Sequence, residues 1–153
     1  MRRYLEVEKQ VYQELEKNCF GNKKRNGYRH LIGVSQLCLL YSSTFHLNDE
    51  LCAIMGLLHD YSIYKNNTSF NHALFSSELA EKLLKESLLF EKEEIEIITN
   101  AIKNHSTKSK RHDDYSELLK MCDVVESYLH EPEMVLTQDK EYYLKKWRNL
   151  LEK

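Results

Sequence analysis

The stretch "GLLHDYSIYK", Gly56 to Lys65, decides how this chain is read. Every residue from Leu51 to Leu58 is apolar or glycine, and the run leads directly into His59 and Asp60. A helix that is apolar on all sides belongs inside a protein. An ionised carboxylate at its end is costly to bury unless it is paired or bound to a metal. Asp123 poses the same problem. It lies in "LLKMCDVVESYL", among Leu119, Cys122, Val124 and Val125. Neither aspartate has an arginine or lysine at helical spacing on its own face, and Lys120, three residues before Asp123, is assigned to the polar edge of its helix. A bound cation, held also by nearby imidazoles, would answer both cases.

The composition around this segment is helical, with one proline and four glycines in 153 residues. No Asn-Gly or Asp-Gly turn separates alternating segments of the strand type. The expectation is an all-α chain, a compact bundle of about six to seven helices forming a single domain over residues 1–153. Seven helices are read at 3–18, 28–46, 49–62, 71–89, 91–105, 113–130 and 138–151. Asn48 or Asp49 is expected to cap the third and Asn71 the fourth, while Pro132 marks the stop after the sixth.

Three further histidines fall on core-facing stripes at spacings near 3.6. His30 aligns with Val34, Leu37 and Tyr41, His72 with Phe75, Leu79 and Leu83, and His105 with Ile98, Ala101 and Ile102. Each stands near a helix end, where side chains from different helices can meet. Adjacent residues such as His59 and Asp60 diverge by about 100° on a regular helix, but at a terminus they can face one point. His46, His112 and His130 fall outside the pattern and read as surface residues.

The set runs in the order His30, His59-Asp60, His72, His105, Asp123. Together with "HLIGV", "LLHDYSIYK", "NHALFSSELA", "AIKNHSTK" and "CDVVESYLHEP", this order resembles the HD-domain superfamily of metal-dependent phosphohydrolases over about residues 28 to 130. The two additional histidines resemble its two-metal branch, and within it the bacterial symmetrical diadenosine tetraphosphate hydrolases. The resemblance implies that His30, His59, Asp60 and Asp123 hold one divalent ion, and that Asp60 bridges to a second completed by His72 and His105. His59 and Asp60 would be the catalytic pair, and a water activated by the ions would attack phosphorus. Iron or manganese is expected first, with zinc, cobalt, nickel and magnesium as further candidates.

Members of the family often carry a lysine three residues after the aspartate of the pair. Here that position is Ile63, and Lys65 lies two residues beyond it. Arg29, Lys65, Ser106, Thr107 and Lys108 are the candidate substrate contacts, the last three supplying hydroxyls and charge for phosphate oxygens. Tyr28, Tyr61 and Tyr64 flank the site and read either as packing residues or as surfaces for a base.

A formal net charge of −2 supplies no global basic field and argues against nucleic acid as partner. The basic cluster "NKKRNGYRH", Asn22 to His30, reads as a solvated connection between helices or as a positive rim for an anionic substrate. Cys19, Cys38, Cys52 and Cys122 show no C-x-x-C spacing and are expected as free thiols in a reducing compartment. The N-terminal "MRRYLEVEKQ" has no signal-peptide pattern and no apolar run approaches 18 residues, so the expected location is the cytoplasm, away from membranes. The final helix, with Leu144, Trp147 and Leu151, packs on the bundle or forms a homodimer contact.

The functional expectation is thus hydrolysis of a phosphate ester or anhydride of a nucleotide or dinucleoside polyphosphate. The alternatives are a one-metal nucleotidase, in which His72 and His105 act on phosphate, a di-iron oxygenase of the same superfamily, and a metal-stabilised binding module without turnover.

Overall fold

The computed structural model describes residues 1–153 and is helical throughout, without strands. Seven long helices, α1 (Arg2–Asn18), α2 (Gly21–Ser42), α3 (Asp49–Leu58), α5 (His72–Ser87), α6 (Lys92–Asn104), α7 (Asp114–His130) and α8 (Gln138–Leu151), are joined by one short helix, α4 (Tyr61–Lys65). A 3-10 turn at Ser43–Phe45 follows α2.

Helix α3 is the central element. Leu51 through Leu58 are all buried, as an all-apolar helix requires. Asn48 fixes its start, its side-chain oxygen accepting from Leu51 N–H at 3.0 Å. Helices α1, α2, α6 and α7 pack around it, and a single core draws side chains from every helix, from Val7 in α1 to Tyr143 and Leu144 in α8. The most extensive packing is between α2 and α3. A Cβ on Gly56 would stand 2.8 Å from Ser35 Cα and 3.0 Å from the Val34 carbonyl oxygen, so the two backbones meet where only glycine fits. Ser35 Oγ locks the same contact by donating to the Ala53 carbonyl at 2.7 Å.

Several expectations differ from the fold. The helix read as 49–62 stops at Leu58; His59 and Asp60 form the junction to α4, with Asp60 at φ −113°, ψ 19°, outside the helical region. The helix read from residue 28 begins at Gly21, so the basic cluster is not a connection but the first turns of α2. Asn71 does occupy the position before α5, but in the left-handed region at φ 46° and without a side-chain cap bond. Lys120 is not at a polar edge: its side chain is fully buried. All four cysteines are buried free thiols, and no helix is long and apolar enough to cross a membrane.

Lys120 anchors a polar knot beneath the segment between α6 and α7. Its ammonium donates to Glu117 Oε2 at 2.7 Å and to the Lys110 carbonyl at 2.9 Å, and contacts His112 Nδ1 at 2.6 Å. His112, expected as a surface residue, is therefore half-buried and tied in. Glu117 also accepts from the Tyr143 hydroxyl at 3.0 Å, which ties α8 to the same knot. Burial alone would raise the Glu117 carboxyl; Lys120, Tyr143 and the His112 N–H outweigh it and hold it below its ordinary value.

Lys120→Met removes the cation from this buried pair and is expected to cost about 3–5 kcal/mol in urea unfolding; a loss under about 1 kcal/mol would contradict the role given to the knot. Because the Glu117 value is depressed in the folded state, its stabilisation is present above the ordinary carboxylate range and fades as pH falls through the depressed value. The variant should lack that part of the acid sensitivity. Gly56→Ala is expected to lose about 1–3 kcal/mol by forcing α2 and α3 apart, and an unchanged unfolding midpoint would show that the contact yields.

Candidate metal centre

The break between α3 and α4 is what builds the site. His59 ends α3 with helical backbone angles, and its Nδ1–H donates to the Gly56 carbonyl one turn back, at 2.6 Å. Asp60 then leaves helical geometry, so its carboxylate swings toward the same point as the His59 ring instead of diverging from it. His30 arrives from α2, Asp123 from α7, His72 from the first turn of α5, and His105 from the end of α6.

All six side chains meet. His30 Nε2 lies 3.1 Å from His59 Nε2, 3.3 Å from Asp60 Oδ2 and 3.1 Å from Asp123 Oδ1. His59 Nε2 lies 3.2 Å from Asp60 Oδ2 and 3.4 Å from Asp123 Oδ1. On the other side of Asp60, its Oδ1 is 3.2 Å from His105 Nε2 and 3.5 Å from His72 Nε2. Two ligand groups result, His30–His59–Asp60–Asp123 and Asp60–His72–His105, each with its donor atoms within 4.8 Å of one another. Asp60 belongs to both, one oxygen facing each.

The rings are held ready to donate. His59, His105 and His72 each point Nδ1 at a backbone carbonyl, of Gly56 at 2.6 Å, Ile102 at 2.6 Å and Ser69 at 3.2 Å. A carbonyl only accepts, so Nδ1 carries the hydrogen and Nε2 is the nitrogen turned to the cluster, where an ion would take its lone pair. His30 does the same against Glu126, whose Oε1 is 2.5 Å from its Nδ1. Imidazole nitrogens and carboxylate oxygens converging in this way suit first-row divalent ions.

The electrostatics of the protein groups point the same way. Burial would lower the His30 value, but Asp123, Asp60 and Glu126 push it up to about 12. Burial opposes His59 likewise, and Asp60 and Asp123 carry it up to about 9. Both aspartates are held well below the usual carboxylate range against the opposing effect of burial: Asp60 by His59, His105 and His30, and Asp123 by Lys108, His30 and His59. His105 is lowered, chiefly by its burial. The centre is a place that demands positive charge, which protons or metal ions can meet.

The candidate substrate contacts divide. Lys108 reaches the cluster, its ammonium 2.9 Å from Asp123 Oδ2 and 3.1 Å from the His105 carbonyl oxygen. Asp123 therefore has a lysine partner after all, one supplied by a loop where a search of its own helix could not find it. Ser106 is exposed and Thr107 half-buried on the same loop. Arg29 is not at the cluster. It stands behind His30, with Nε 3.5 Å from Glu126 Oε2 and a terminal nitrogen 2.8 Å from His130 Nε2. Lys65 is directed elsewhere too, pairing with Glu14 at 3.3 Å beside the groove between α1 and α5, while Ile63 packs on the core. Tyr61 and Tyr64 are buried, and the Tyr28 hydroxyl donates to Glu16 at 2.7 Å, so these rings are packing residues.

Glu126 is the residue the sequence reading missed. Two signals were present: it follows Asp123 by three residues, which places it on the same face of α7, and Gly33 lies just under one turn after His30. A Cβ on Gly33 would come within 2.7 Å of Glu126 Cγ, so the glycine makes the room the carboxylate occupies.

Comparison with known proteins agrees with this architecture. The family model for the HD domain matches residues 27–128, which contain every ligand candidate and Glu126. No curated protein and no solved structure matches the chain. Membership of that family implies a metal-dependent phosphohydrolase, the chemistry for which the histidine and aspartate cluster is suited. With its matched span covering two thirds of its length and its cluster built at the His59-Asp60 junction, the chain belongs to the HD domain family.

Proposed function

We propose that the chain is a two-metal phosphohydrolase that cleaves a nucleotide or dinucleoside polyphosphate with water. The observation that carries this reading is the shared carboxylate of Asp60, with Oδ2 turned to His30 and His59 and Oδ1 turned to His72 and His105. A single bridging carboxylate between two sets of imidazoles is what a pair of adjacent ions needs. His30, His59, Asp60 and Asp123 would hold one ion, and Asp60, His72 and His105 the other, with iron or manganese first among the candidates. When bound, the ions supply Lewis acidity: they acidify a water and neutralise phosphoryl oxygens during in-line displacement.

The protein's own groups supply the rest. His59 and His105 are almost wholly buried and fix the floor, whereas the His72 side chain is 29% exposed and marks the side from which a substrate enters. Lys108 sets a positive charge at the rim, next to the hydroxyls of Ser106 and Thr107, where phosphate oxygens would arrive. The sequence likeness to bacterial symmetrical diadenosine tetraphosphate hydrolases supports a dinucleoside polyphosphate as substrate. Symmetrical cleavage of that molecule consumes one water and releases two ADP.

Protein equilibrated with saturating Mn2+ is expected to bind two equivalents of metal by elemental mass spectrometry, after subtraction of free ion. His72→Ala should retain one, and Asp60→Asn one or fewer. A single equivalent that His72→Ala leaves in place would instead support the one-metal nucleotidase.

Manganese- or iron-loaded protein should convert diadenosine tetraphosphate to ADP, with kcat/KM reduced more than about 100-fold in Asp60→Asn. Oxygen uptake coupled to substrate cleavage would replace this reading with the oxygenase, and no turnover across a nucleotide panel with several metals would defeat it.

A further inference from the structure

The two ligand groups are not equivalent, and the difference lies behind the ligands. Three of the four histidines rest their outer nitrogen on a neutral backbone carbonyl, those of Gly56, Ser69 and Ile102. His30 alone rests on a carboxylate, Glu126 Oε1 at 2.5 Å. An anionic acceptor on the far nitrogen makes an imidazole a stronger donor and holds its ring more rigidly than a carbonyl does. Glu126 is itself well seated: its side chain is only 9% exposed, Gly33 leaves the space for it, and Arg29 stands on its other oxygen at 3.5 Å.

The remaining asymmetries run in the same direction. The group at His30 offers four side chains, two of them carboxylates, while the group at His72 offers three, of which Asp60 is shared. His72 is the most exposed of the six, and its supporting carbonyl is the longest contact of the set at 3.2 Å. That carbonyl belongs to the loop Asn66–Asn71, which contains two non-glycine residues in the left-handed region, Asn67 at φ 55° and Asn71 at φ 46°. The Ser69 carbonyl therefore holds His72 from a loop, whereas the Gly56 and Ile102 carbonyls belong to the helices that end in His59 and His105.

We infer that Glu126 is a positioning residue that makes the His30–His59–Asp60–Asp123 seat the tight one, so that two ions load in a fixed order and the ion at Asp60–His72–His105 exchanges with free metal in the surroundings. This rests on the two-metal reading above. Its consequence is regulatory: turnover follows the concentration of free divalent ion through the weaker seat while the first ion stays in place.

The test is a titration of the full-length, chelator-stripped protein with Mn2+, counting free ion by electron paramagnetic resonance. Two binding events are expected, with dissociation constants at least about tenfold apart. Glu126→Gln should weaken the tighter event by about 10–100-fold and leave the weaker within about threefold, and His72→Ala should delete the weaker event alone. Two events of equal affinity in the unmodified protein would overturn the inference while leaving the two-metal reading intact. Glu126→Gln weakening both events alike would also overturn it, since that is the mark of a general structural defect. Binding of one ion or none would overturn the two-metal reading and this inference together.

Discussion

The rest of the structure is arranged around one carboxylate. Asp60 sits at the end of the most apolar helix in the chain, where an unpaired negative charge would be prohibitive. Four imidazole nitrogens compensate it, standing within 3.5 Å of its two oxygens. Those nitrogens come from α2, the α3–α4 junction, α5 and the end of α6, so the site staples the bundle together in satisfying its own charge. Asp123 repeats the solution from α7, with one oxygen toward His30 and His59 and the other on Lys108.

Holding such a cluster in register requires stiff supports. Gly56 provides the first, since it lets α2 and α3 touch backbone to backbone and its carbonyl also orients His59. The knot of Lys120, Glu117, Tyr143 and His112 provides another, fixing the segment that follows His105 and so the loop that carries Lys108. Neither belongs to the cluster, yet each sets the position of a residue that lies at it. The surfaces left freer, around His72 and the loop before it, are those through which substrate and exchangeable ions would pass.

Much of this was legible before the fold was known. An uninterrupted apolar run ending in His59-Asp60 announces a buried polar pair, and histidines on otherwise apolar stripes announce their partners, because burial makes such residues conspicuous. The break after Leu58 was not legible. "GLLHDYSIYK" contains no proline and no glycine at the break, and the helix ends there because Asp60 is drawn into the cluster, a tertiary effect that local propensity does not encode. The start of α2 was hidden for the opposite reason, since a run of lysines and arginines on a solvent-facing turn looks like a connection. Lys65 was a plausible phosphate contact by sequence distance, and only the packing of α4 against α1 assigns it to Glu14. Glu126 was missed because an acid in the second half of a helix is ordinary until its neighbour across the groove proves to be the outer nitrogen of His30.

The most direct test is anomalous diffraction from crystals of the manganese-loaded protein. Two peaks that share the Asp60 carboxylate are expected, one ringed by His30, His59 and Asp123 and the other by His72 and His105. A single peak, or two peaks of which Asp60 touches only one, would contradict this arrangement.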